Sequence, residues 1–287
     1  MSLEKSASFG NFMFKRWLRL FPAMLVCSIL IFVSADLFQE RPKGLVHLGD
    51  LIPGLLFIEP ELIEIAYNNK QGLLEGSFWS LFVEVKFYIL AGIAFFSFGK
   101  NKMILIIVGL FFTSVLHDFL SKVIFIPDTI DTIIRLLSIS HFGWFAIGAL
   151  FYEYSQTRKK LYLVLALTLF LIVARQYDRY QSESMIIKVL LITSFLLPLI
   201  GNGSTKLLQH KFFLFFGFIS YPLYLLHENM MISMIVSIGI YFPWIPYILM
   251  PVLPILCIAT LSFIVASYIE PFIRRCLKKS LIRISSL

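Results

Sequence analysis

Long apolar runs, separated by short polar segments, fill most of the chain. A membrane-spanning helix needs about 20 mostly apolar residues, so each run of that length predicts one crossing helix. A further run, 45–58, is short and contains Pro53 and Gly54, and we expect it to be re-entrant or interfacial. The eight predicted spans are 18–38, 78–98, 103–120, 136–154, 160–175, 185–201, 219–240 and 247–273. The expected fold class is an all-α polytopic membrane protein, with 1–287 forming a single membrane domain.

The composition agrees with a membrane protein. Of 287 residues, 59% are hydrophobic and only 15% are charged, whereas soluble domains average about 25% charged residues. The three cysteines are far apart and show no metal-ligand spacing, so we expect no metal site. The formal charge of +8 does not indicate a nucleic-acid partner, because the basic residues cluster at the ends of the apolar runs.

Charge also predicts the orientation. With a cytoplasmic N-terminus and eight alternating helices, most of the 25 Lys and Arg face inward, including 158–160, and the acidic loop 59–75 faces outward. If 45–58 crossed the membrane, every later loop would change sides. We therefore expect both termini in the cytoplasm. His117 and His141 then lie near the outer ends of their helices, where an interfacial role is expected.

Two of the predicted spans carry polar residues. Ser80, Glu84 and Tyr88 are spaced four residues apart, which places them on one stripe of a helix. A carboxylate in hydrocarbon costs roughly 2.5–3.5 kcal/mol on insertion scales, so such residues normally face a cavity or a partner. The stripe is either part of a functional site or a buried pair that orients helices.

The second polar group lies in "ISYPLYLLHEN". We expect a helix from Ile219, capped by Ser220, in which Tyr224, His227 and Glu228 share one side. A histidine next to a glutamate in hydrocarbon is hard to explain by packing alone. A structural hydrogen-bond network remains the alternative.

Basic residues lie near both ends of the chain. Lys15, Arg16 and Arg19 lie at the predicted cytoplasmic border, and Arg16 and Arg19 have the spacing to grip one phosphate. The alternative is that they anchor the helix or contact lipid headgroups. Near the C-terminus, Glu270 and Arg274 have the spacing of an ion pair within one helix.

Four stretches in this order resemble motifs of the membrane-bound acyltransferase 3 family, which includes O-antigen and exopolysaccharide O-acetyltransferases. They are "FKRWLRLFP", "WSLFVEVKFY", "FGFISYPLYLLHE" and "EPFIRR". Between them, "FGWFAIGALFYEY" is similar to the family's mid-chain helix.

The resemblance implies an activity and a set of site residues. Family members transfer an acyl group, usually acetyl from acetyl-CoA, to a hydroxyl of a cell-surface polysaccharide or lipid-linked sugar across the bacterial inner membrane. The implied contacts of the coenzyme A phosphates are Lys15, Arg16 and Arg19. The implied catalytic region contains Glu84, Tyr88, Ser220, Tyr224 and His227.

This sequence also differs from the family pattern. Family members usually have two more helices before the basic motif, and the first bears the histidine expected to act as base. This chain starts shortly before "FKRWLRLFP", so we expect those helices to be missing and the activity to be impaired. The alternatives are an inactive remnant or membrane partner protein, and a proton-coupled carrier of a small acid or lipid-linked sugar with Glu84 and His227 as relay.

Overall fold

A computed structural model describes residues 3–68, 72–178, 185–197, 206 and 208–285. Within these ranges every element is helical and there is no strand. The α-helices, in chain order, are α1 Phe9–Val33, α2 Leu51–Leu56, α3 Pro60–Tyr67, α4 Trp79–Phe98, α5 Lys100–Leu120, α6 Asp128–Leu137, α7 Phe142–Thr157, α8 Lys160–Asp178, α9 Met185–Leu196, α10 Lys211–Leu226, α11 Ile232–Tyr241, α12 Val252–Ile264 and α13 Glu270–Ser285.

Two short segments with π-helical hydrogen bonding link consecutive helices. His227–Met231 joins α10 to α11, and Val265–Ile269 joins α12 to α13. Each makes two helices into one long apolar element, Lys211–Tyr241 and Val252–Lys279 respectively.

Several of the helices are long and apolar enough to cross a membrane. In the described part of the chain there are five, or six if α6 and the segment Ile139–Thr157, which are bent by 48°, form one span. The five are Phe9–Val33, Gly76–Phe98, Lys100–Leu120, Lys211–Tyr241 and Val252–Lys279. The fold is therefore that of a polytopic helical membrane protein. The predicted span 160–175 falls on α8, and the first part of 185–201 falls on α9, while 198–201 lie outside the described residues. The count of eight stays a prediction.

The helices pack into two compact units. One consists of Met1–Phe9 and Val83–His210, and the other of Gly10–Phe82 and Lys211–Leu287. The boundary falls inside α4, so this helix contributes residues to both units.

In the first unit, a glycine allows two helices to pack closely. A Cβ on Gly143 of α7 would collide with Val173 of α8 and lie 2.9 Å from the ring of Phe111 of α5. Aromatic rings fill the neighbouring space, where Phe87 of α4 stacks on Phe145 with ring centroids 3.9 Å apart. Glycine is thus required by close helix contact here, because any side chain would push the helices apart.

In the second unit, the short apolar run 45–58 folds as a 3₁₀ turn, Leu48–Asp50, followed by α2. A helix of six residues is too short to cross a bilayer. Gly54 packs against the ring of Phe78, to which an added Cβ would lie 3.1 Å away. The prediction that 45–58 does not span agrees with this structure.

One predicted helix start was wrong. The helix containing "ISYPLYLL" begins at Lys211 rather than at Ile219, and Pro222 lies inside it. Ser220 does not cap the helix, because its hydroxyl donates to the carbonyl of Gly217 at 2.9 Å. The apolar residues before Ile219 continue the helix, and proline is tolerated inside membrane helices where neighbouring groups compensate for the lost hydrogen bond.

Candidate functional site

A cationic cleft lies at the start of α1 in the second unit. Its volume is about 330 Å³, and Arg274 and Lys278 of α13 join Lys15 and Arg19 in lining it. Asn11, Phe14 and Leu18 complete the lining. Each basic pair is spaced four residues apart, which places both members on one face of its helix. Four positive charges around one cavity give it a positive electrostatic potential, which attracts anions.

Arg16 does not line this cleft. Its guanidinium carbon lies 5.4 Å from the centroid of the Phe12 ring, an arrangement typical of a cation–π contact. The face of α1 that lines the cavity carries Phe14, Lys15, Leu18 and Arg19, and Arg16 is not on it. The structure therefore brings Lys15 and Arg19 together and leaves Arg16 on another face.

The predicted ion pair at the C-terminal helix is present. Arg274 donates through Nη2 to Glu270 Oε1, one turn earlier on α13. The positive charge of Arg19 also acts on the Glu270 carboxylate. Glu270 thus holds Arg274 in place at the edge of the cationic cleft.

The stripe on α4 is present, and its members have separate partners. The hydroxyl of Tyr88 donates to Glu84 Oε1, and Tyr88 is buried while Glu84 is half-buried. Ser80 lies 2.7 Å from the hydroxyl of Tyr224 on α10. Glu84 thus has its hydrogen-bond partner on its own helix, whereas Ser80 links α4 to α10.

Tyr224 and His227 lie together at the end of α10. The hydroxyl of Tyr224 donates to the carbonyl of Ser77, and His227 Nδ1 lies 2.8 Å from the carbonyl of Tyr224. A carbonyl accepts only, so Nδ1 carries the proton and Nε2 is left as an acceptor in the neutral imidazole. Ser220 is exposed and is not part of this group.

The π-helical segment His227–Met231 forms hydrogen bonds with the loop between α1 and α4. Asn229 is 1% exposed; its backbone N–H donates to Glu75 Oε2 at 3.0 Å, and its amide donates to the carbonyl of Leu74 at 2.7 Å. Asn229 Oδ1 accepts the backbone N–H of Lys43 at 3.1 Å. Beside it, Glu228 accepts the backbone N–H of Ser77 at 2.5 Å. The segment His227–Met231 thereby fixes two parts of this loop, one at Lys43 and the other at 74–77.

Glu75 is the most buried acid of this network. It is 0% exposed, and burial raises the pKa of its carboxyl to about 7, an effect that the charge of Glu228 strengthens. The N–H of Asn229 and the charge of Arg41 act in the opposite direction. Arg41 itself is buried and donates to the carbonyl of Leu74 at 3.0 Å.

Sequence reasoning missed Arg41, Glu75 and Asn229. Glu75 stands directly before an apolar run and Asn229 directly after His227 and Glu228. Position alone gives no sign that the two meet. Among the described residues, no group of three or more His, Cys, Asp or Glu side chains could hold a metal ion.

Apolar helices of spanning length define an integral membrane protein, and the cleft between α1 and α13 is lined by four basic side chains. A family model described as an acyltransferase domain matches residues 1–270. The chain belongs to this family, acyltransferase 3, as the resemblance of its motifs predicted. Comparisons with curated proteins and with solved structures gave no match.

Proposed function

We propose that the chain transfers an acyl group, acetyl in the first instance, from acyl-CoA in the cytoplasm to a hydroxyl of a sugar outside it. The acceptor is a cell-surface polysaccharide or a lipid-linked sugar, and the membrane is the bacterial inner membrane with both chain termini inside. Membership of the acyltransferase family supports acyl transfer to a hydroxyl. The observation that carries the donor assignment is the cationic cleft of α1 and α13.

Coenzyme A is a polyanion, and the cleft has the groups to bind several phosphates. Arg19 and Arg274 present planar guanidinium groups that bind phosphate oxygens in pairs. Lys15 and Lys278 add two compact charges. The ion pair with Glu270 fixes Arg274 before the ligand arrives, which reduces the conformational entropy lost on binding.

The reaction that follows moves the acyl group from the sulfur of coenzyme A to the oxygen of the acceptor hydroxyl. The acceptor oxygen attacks the thioester carbonyl, so that a C–O bond forms and the C–S bond breaks. The hydroxyl proton passes to a base, and the thiolate of coenzyme A leaves. Positioned bases of this kind contribute typically 10²–10⁴-fold to the rate.

His227 and Glu84 are the two groups that we propose for proton transfer. The hydrogen bond from Nδ1 to the Tyr224 carbonyl leaves Nε2 of His227 able to accept a proton. Glu84 is held in position by Tyr88, whose hydroxyl donates to Glu84 Oε1. Ser220 is exposed, and its hydroxyl donates to the carbonyl of Gly217, so we do not assign it a role in proton transfer.

Calorimetric titration of the full chain in phospholipid nanodiscs with coenzyme A tests the donor site. Arg19→Ala and Lys278→Ala should each weaken binding roughly 10-fold, since hydrogen bonds to charged groups contribute about 1.5–3 kcal/mol. Arg19→Lys should restore binding only in part, because lysine lacks the planar fork. Lys279→Ala is the matched control, since Lys279 neighbours Lys278 and does not line the cleft.

Two results would contradict the donor assignment. One is equal affinity for the wild type and for an Arg19→Ala/Lys278→Ala double variant. The other is a loss of affinity as large in Arg16→Ala or Lys279→Ala as in the cleft variants, which would indicate a general effect of net charge. Transfer of labelled acetyl groups in membranes containing Glu84→Gln or His227→Ala then tests the two bases separately.

A further inference from the structure

The first unit contains a second, larger cleft that the proposed chemistry does not use. Its volume is about 490 Å³, and it lies among the last turns of α5, helix α6, the 3₁₀ turn Ile139–His141 and the end of α8. Six of its lining residues carry a charged, imidazole or amide side chain: His117, Asp118, Asp131, Arg135, His141 and Gln176. Ile134 and Val173 add two apolar side chains.

His117 is buried in the wall of this cleft with an unsatisfied ring nitrogen. The residue is 9% exposed, and its buried Nε2 has no hydrogen-bond partner among the described residues. The nearest carboxylate oxygens are 3.6 Å from Nε2, on Asp131, and 3.8 Å from Nδ1, on Asp118. These distances are too long for hydrogen bonds.

Gln176 lies in the same wall and is also only partly satisfied. Its amide donates to Asp118 Oδ2 at 2.9 Å, whereas its buried Oε1 lacks a partner within the described part of the chain. A buried polar atom is normally hydrogen-bonded. His117 and Gln176 both line the cavity, and each carries a buried polar atom without a hydrogen-bond partner among the described residues, so the wall of the cavity is polar and not fully satisfied.

The chemistry of the lining favours a neutral ligand with many hydroxyl groups. Two carboxylates, one guanidinium and two imidazoles leave no strong excess of either charge, unlike the cationic cleft of the second unit. Carboxylates accept, Arg135 donates, and the amide and imidazole groups can do both, which matches hydroxyls that donate and accept at once. Its volume lies within the range of about 300–1,000 Å³ typical of small-molecule sites.

We infer that this cleft binds a neutral sugar unit of the acyl acceptor, an inference that rests on the proposed function. In the orientation that the charges predict, α5 starts at Lys100 on the cytoplasmic side and ends near His117 on the outer side. The cleft then opens toward the compartment that contains cell-surface sugars. Ile134 and Val173 offer apolar contact to the C–H faces of the ring.

Saturation-transfer NMR on the full chain in phospholipid nanodiscs, without sugar-based detergent, tests this inference. The probes are the methyl glycosides of glucose, galactose, mannose and N-acetylglucosamine. At least one should bind, and Asp131→Ala should raise its Kd roughly 10-fold, as expected for a lost hydrogen bond to a charged group. The Asp131 side chain is 58% exposed, so this substitution leaves the packing intact.

Asp128→Ala is the matched control, because Asp128 is an exposed acid in the first turn of the same helix and does not line the cleft. It should bind the glycoside like the wild type, whereas Gln176→Ala should weaken binding as Asp131→Ala does. Absence of binding by all four glycosides would overturn the inference. So would unchanged binding in both Asp131→Ala and Gln176→Ala.

A parallel titration with coenzyme A separates this inference from the proposed function. Coenzyme A binding without glycoside binding would overturn the sugar site and leave the donor site standing. Glycoside binding that depends on Asp131, without coenzyme A binding, would support the sugar site and overturn the proposed donor.

Discussion

Ionisation of Glu75 should make the protein less stable as the pH rises. Burial raises the pKa of this carboxyl from 4.5 to about 7 in the folded chain. Below pH 4.5 the group is protonated in both folded and unfolded chains, and the stability that depends on it is fully present. Between pH 4.5 and about 7 the unfolded chain loses the proton first, so stability falls, and above about 7 it levels off.

The magnitude follows from the two pKa values. The difference between 4.5 and about 7 is about 2.5 units, and each unit corresponds to 1.36 kcal/mol. The free energy of unfolding should therefore drop by about 3 kcal/mol across this interval. Solvent does not screen this effect appreciably, because Glu75 is 0% exposed.

Thermal unfolding between pH 4.5 and 8.5, followed by tryptophan fluorescence in nanodiscs, measures the effect. Glu75→Gln keeps a carbonyl for the Asn229 N–H and cannot ionise, so its melting temperature should depend less on pH than that of the wild type. Glu64→Gln, which changes an exposed acid on α3, is the control and should follow the wild type. Parallel pH curves for the wild type and Glu75→Gln would refute the assignment.

Three further substitutions have expected outcomes. Gly143→Val should destabilise the protein by about 1–3 kcal/mol because the side chain has no room. Gly109→Ala, which has open space inside α5, should melt no lower than the wild type, because alanine is the better helix former. A melting temperature of Gly143→Val as high as that of Gly109→Ala would contradict the close contact. Asn229→Leu should lower the free energy of unfolding by about 2 kcal/mol or more in a denaturant titration, because it leaves buried loop groups without partners. Tyr88→Phe should slow acetyl transfer about 10-fold through loss of the hydrogen bond to Glu84, and an unchanged rate would restrict this pair to a structural role.

Interactions within one helix could be predicted from spacing. The bonds from Tyr88 to Glu84 and from Arg274 to Glu270 each join residues four apart, and helix geometry alone brings them together. The bond from Asn229 to Glu75 joins residues separated by 154 positions, so spacing holds no information about it.

The cationic cleft was predictable only in part. The sequence indicates a basic group at the start of α1, and spacing favoured Arg16 together with Arg19. The direction in which α1 meets α13 decides which face lines the cavity, and that face carries Lys15 and Arg19. Helix packing depends on side chains far apart in the chain, which a periodic pattern does not contain.

The π-helical segment His227–Met231 adds one residue to the span without changing the phase of the helices on either side of it. A π-turn accommodates one residue more than an α-turn, so the wide turn absorbs the extra residue locally. Deleting a single residue here would restore α-helical bonding and leave the faces of α10 and α11 close to their present directions. The side chains inside the segment would shift, so Asn229 would leave the loop that carries Glu75, while the hydropathy of the span would be little changed. Relatives that differ by one residue at this point would therefore share the same predicted spans and present different side chains to the loop.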